Sequence, residues 1–125
     1  MRNIVAILLF ALLIAASAAA GTAVASTESA RGAFELTVNT SLDPAKPGIV
    51  TCTAVLKDTK SGEVLAAPRV EFKAGEAAEV GSTTDRSKFV LKITSDVAAN
   101  RVTADAEYAL EGEVVFAPRI ELELR

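Results

Sequence analysis

A ten-residue pattern of this chain occurs twice. Gly62-Glu63-Val64-Leu65-Ala66-Ala67-Pro68-Arg69-Val70-Glu71 returns fifty residues later as Gly112-Glu113-Val114-Val115-Phe116-Ala117-Pro118-Arg119-Ile120-Glu121. Seven positions are identical, and the other three pairs are apolar in both copies. An internal repeat constrains architecture more than any composition does, because one supersecondary unit has to serve twice.

The repeat extends beyond the shared decapeptide. Phe34, Leu36 and Val38 alternate with polar residues, as do Phe89, Leu91 and Ile93. Val50, Cys52, Ala54 and Leu56 alternate in the same way as Val102, Ala104, Ala106 and Tyr108. Period two marks half-buried strands. Asp43-Pro44, Pro47-Gly48 and the stretch from Asp58 to Gly62 mark turns. The copies are therefore predicted at 34–72 and 89–122, each a three-stranded meander. Phe34 and Phe89 are read as equivalent core residues at the start of each copy. Ala78-Glu79-Val80, in the connection between them, reads as a short extra strand. One meander cannot bury its apolar face alone. The prediction is an all-β fold, a small antiparallel β-sandwich of two repeated meanders packed face to face.

The N-terminal part reads differently. Arg2 precedes an uncharged apolar run from Ile4 to Ala16, and small residues follow. A cationic start, an apolar core and a small-residue site are the parts of a secretory signal peptide. Ala23-Val24-Ala25 fits the A-x-A cleavage pattern, which predicts a signal peptide over 1–25 and a mature chain beginning at Ser26. Ala16-Ser17-Ala18 and Ala18-Ala19-Ala20 are rival sites. The other reading is a retained membrane anchor, since no charge occurs between Asn3 and Thr27. Residues 26–33 read as a flexible lead-in, and 34–125 as the β domain. The expected location is periplasmic or secreted, with membrane contact only if the N-terminal segment stays.

Composition narrows the chemistry. The chain carries 13 basic and 16 acidic residues. This acidic balance argues against nucleic-acid binding, which needs a basic patch. There is no histidine, so the commonest general base and any Ser-His or Cys-His nucleophile pair are excluded. No glycine-rich phosphate loop, metal-ligand spacing or calcium loop occurs. No catalytic, metal or cofactor site is expected. A carboxylate-pair hydrolase is the remaining enzyme reading. Cys52 is the one cysteine, so no intramolecular disulfide is available. It reads as a small buried hydrophobe, with an intermolecular disulfide as the alternative.

Pro68 and Pro118 interrupt good strands and predict an edge or a bulge. The arginines after them, Arg69 and Arg119, fall on the polar face. They read either as members of surface ion pairs or as contacts for a partner that presents carboxylate or phosphate. The partner would be an unknown protein or a second copy of this chain.

Leu65-Ala66-Ala67-Pro68-Arg69, then Ala78-Glu79-Val80-Gly81, then Phe89-Val90-Leu91-Lys92-Ile93 resembles a run in the β-rich domain of bacterial secretins. The resemblance covers under a third of the chain. In a chain far too short for a pore, it implies an envelope protein and no pore formation.

Overall fold

The computed structural model describes residues 16–18, 21–29, 31–42 and 45–123. The apolar run of the predicted leader, up to residue 15, lies outside them, as do Ala19 and Ala20 of the rival cleavage sites. The described residues contain no helix long and apolar enough to cross a membrane. They form eleven strands: β1 (Ala16–Ala18), β2 (Thr22–Ser29), β3 (Gly32–Leu42), β4 (Ile49–Asp58), β5 (Val64–Ala66), β6 (Arg69–Lys73), β7 (Ala78–Thr83), β8 (Ser87–Asp96), β9 (Arg101–Leu110), β10 (Glu113–Phe116) and β11 (Arg119–Glu123).

The strands make two sheets. The first runs β2-β3-β4, with β5 and β6 both paired to the far side of β4. The second runs β7-β8-β9, with β10 and β11 both paired to β9. These ladders are antiparallel, and β1 joins the second sheet in parallel at Ile120–Leu122 of β11. The inner faces meet in one core that includes Leu36, Val38, Val50 and Leu56 from the first sheet, and Leu91, Ile93, Val102 and Ile120 from the second. Each of these is at most 1% exposed. The predicted all-β sandwich is the observed architecture.

Each meander carries one strand more than the repeat suggests. Ala78-Glu79-Val80 does begin a strand, β7, which pairs with β8. Its counterpart in the first sheet is β2, paired with β3 from Thr22 to Ser29. Residues 26–33, expected to be a flexible lead-in, therefore belong largely to β2 and the start of β3. The cause is a short hairpin, which pairs β2 with the edge of β3. Gly32 at its corner has φ +140°, and a Cβ there would stand 2.8 Å from Cζ of Phe34. Only glycine lets that ring lie against the turn.

The third strand of each copy is not continuous. It breaks at Ala67-Pro68 and again at Ala117-Pro118, giving β5/β6 and β10/β11. Proline has no N–H to donate, so the ladder is interrupted there. Its carbonyl still serves: Ala54 N–H donates to Pro68 O and Ala106 N–H to Pro118 O, each at 3.0 Å. The two bonds place Ala54 and Ala106 alike, each opposite the proline carbonyl of its own sheet.

The ladders also correct the pairing of the two phenylalanines. Leu56 lies opposite Ala66 and Tyr108 opposite Phe116, so Leu56 and Tyr108 correspond. On the other side Leu56 faces Leu36, whereas Tyr108 faces Phe89. Phe89 is thus the counterpart of Leu36, not of Phe34. Phe34 faces Asp58, two residues further out on a longer ladder. Both rings are buried, at 3% and 2% exposure. The cores of the two copies compensate in size. One places Leu36, Leu56 and Ala66 where the other has Phe89, Tyr108 and Phe116. Similarly, Thr40 beside Cys52 matches Ile93 beside Ala104.

Cys52 is 1% exposed, as expected of a small core residue and out of reach of an intermolecular disulfide. Burial pushes its thiol from 9.0 up to about 11, because the apolar interior disfavours the thiolate. The folded pKa is raised, so this contribution to stability is complete below pH 9 and is lost as pH rises towards 11. We expect about 2–3 kcal/mol of pH-dependent loss over that interval. Cys52→Ala, which installs the residue of the second copy, should remove it. Urea unfolding at pH 8, 9, 10 and 11 for both proteins is the check. Parallel curves would show that the thiol does not couple to folding.

Candidate functional site

Four turns gather at one end of the sandwich: β2–β3, β4–β5, β7–β8 and β9–β10. Their placement follows from the meander topology, in which alternate connections return to the same end. Between them lies a cleft of about 540 Å³. Phe34, Leu65, Tyr108 and Leu110 form its apolar floor. Arg31, Asp58, Glu63, Arg86 and Glu111 stand around it.

The floor is a cross-sheet aromatic cluster. Phe34 of the first sheet meets Tyr108 of the second edge-on, with centroids 5.3 Å apart, and lies stacked near Phe116 at 6.2 Å. Such pairs add to the burial of the rings themselves. The extra length of β3 carries Phe34 out to this position.

The rim is ionic. Arg31 lies in the β2–β3 turn and Arg86 in the β7–β8 turn, each three residues before a core phenylalanine in the sequence. Arg31 donates to Glu113, and Arg86 to Glu111 at 3.2 Å. Each arginine thereby ties a hairpin to the β9–β10 turn. Asp58 is engaged locally: its Oδ1 accepts from the backbone N–H of Lys60 and Ser61. The cleft thus offers ring edges below and charges of both signs above, two arginines among three carboxylates. That suits a ligand with an apolar body and polar ends.

Arg69 and Arg119 lie elsewhere. Arg69 projects from β6 on the outside of the first sheet, 3.3 Å from Glu71, which also lies 3.9 Å from Lys46. Arg119 projects from β11 on the outside of the second sheet, with Nε 3.0 Å from Asp105. Their outer faces point in opposite directions, so the fold does not join the pair into one site. More than half of each arginine side chain is solvent-exposed. We expect Arg69→Ala and Arg119→Ala each to change stability by less than about 1 kcal/mol, as exposed pairs do. Raising the salt concentration should shrink even that difference by screening. Chemical denaturation at low and high salt measures both. A larger, salt-insensitive loss would contradict the surface-pair reading.

Sequence reasoning did not single out Arg31, Arg86 or the cleft. The signal was the common spacing Arg-x-x-Phe, at Arg31–Phe34 and Arg86–Phe89. Among the described residues no group of three or more His, Cys, Asp or Glu side chains is placed to hold a metal ion. No protein-family model, curated protein or solved structure matches the chain.

Proposed function

We propose that the chain is an exported, non-enzymatic binding module of a bacterial envelope or secretome, periplasmic or secreted, with the end cleft as its contact surface. The observation that carries this reading is the convergence of four turns around an aromatic floor. Binding residues concentrate on loops held by a rigid scaffold, and the two hairpin arginines are so held. The leader-like N-terminal sequence supports export, and the lack of histidine supports binding over catalysis.

The test compares wild type with the Arg31→Ala/Arg86→Ala double variant. Both should unfold at similar denaturant concentrations, since exposed ion pairs contribute little. Immobilised wild type should retain an envelope component that the double variant loses. Equal retention by the two proteins would remove the cleft from the proposal.

A second reading, self-association through a sheet edge, rests on β11, which β1 covers only from Ile120 to Leu122. A solution mass that rises with protein concentration would favour it.

A further inference from the structure

We infer that the exported chain is processed upstream of Gly21 and keeps the whole of β2, so that Ala25–Ser26 is not the processed bond. This rests on the export reading above and specifies where the leader ends.

The first support is burial. Ala23 and Ala25 are 5% and 3% exposed and belong to the core. They lie opposite Val38 and Leu36 of β3, both fully buried. The second is the backbone. All eight residues of β2 are in register with β3, and the contact continues to Gly21, whose carbonyl accepts from Thr40 N–H at 2.7 Å. Gly21 has φ +72°, and a Cβ there would stand 2.7 Å from Thr40 O. A glycine is required where the chain makes this close approach. The third is the internal repeat. β2 occupies in the first sheet the place that β7 occupies in the second, so it is a member of the duplicated unit.

A cut after Ala25 would split β2 at its centre. It would discard both core alanines and leave the edge of β3 unpaired along Leu36–Asn39. The chain is unfolded while it crosses a membrane, so the fold does not shield the bond at that stage. The fold decides instead which product is complete. The two small-residue sites upstream, ending at Ala18 and Ala20, also follow directly on the apolar core, where a cleavage site belongs. The reaction is a hydrolysis: water adds across the peptide bond, leaving a carboxylate on the leader and an amino group on the mature chain.

The experiment is intact mass and N-terminal sequencing of the full-length gene product, expressed in an exporting bacterium and recovered from periplasm or medium. Wild type should begin at Ala19 or Gly21. Ala18→Gln alters the residue shared by both upstream sites and should abolish that product. Ala25→Gln should leave the N-terminus of wild type unchanged. A wild-type chain beginning at Ser26, or loss of processing in Ala25→Gln but not in Ala18→Gln, overturns the inference while leaving export intact. Full-length protein found only in membranes or cytosol overturns both.

Discussion

Phe89→Ala should lower the stability of the domain by about 3–5 kcal/mol, the usual range for removing a fully buried ring. Phe34→Ala should cost a similar amount, though by a different route. Phe89 stands inside the β8–β9 ladder opposite Tyr108. Phe34 lies near the end of the sandwich and spans the two sheets through Tyr108 and Phe116. A domain of this size has only several kcal/mol in total, so each variant should unfold at a visibly lower urea concentration. A double-mutant cycle separates the routes. Phe34→Ala with Phe116→Ala should be non-additive by at least about 0.5 kcal/mol, because the rings touch. Midpoints near wild type for both single variants would show that the inner faces are wrongly assigned.

The second large effect concerns β2. A chain beginning at Ser26 should be less stable than one beginning at Gly21 by at least about 3 kcal/mol. The shorter chain loses two buried methyl groups, exposes apolar surface on Leu36 and Val38, and gives up ladder bonds to β3. Both chains can be made directly, without export, and unfolded in urea. A shared midpoint would show that Thr22–Ala25 contributes nothing to the fold. That result would remove the stability argument for processing upstream of Gly21.

The repeat made the sandwich legible in the sequence alone. Period-two alternation placed β3, β4, β8 and β9, and the prolines announced the interruptions. Three features stayed hidden, each for a physical reason. Strand β2 has alanine at its two buried positions, and alanine serves equally in a signal-peptidase site and in a tight core. The register of β3 depends on the length of the hairpins, which alternation does not encode. Phe34 and Phe89 consequently looked equivalent, although their places in the two ladders differ by two residues. The end cleft depends on how two sheets stack, so it was not visible in either copy alone. Arg69 and Arg119 show the converse. Identical sequence context brought them to notice, yet the duplication that makes them alike also sends them to opposite sides of the molecule.

The parallel pairing of β1 with β11 bears on how the chain reaches its native state. The antiparallel ladders join strands that are neighbours in the chain or have one short strand between them. Such connections close small loops. Among the described residues, β1 with β11 is the ladder that links the two distant ends, from Ala16 to Ile120. Contacts of long sequence separation slow folding, because the intervening chain must be ordered first. A chain cut upstream of Gly21 would lose that ladder, while β2 would still lie against β11. Its contact order would fall, and each sheet could zip along its own hairpins before the two dock. In such a chain, loss of the leader would also remove the parallel ladder that ties the two distant ends together, and with it the pairing of longest sequence separation among the described residues.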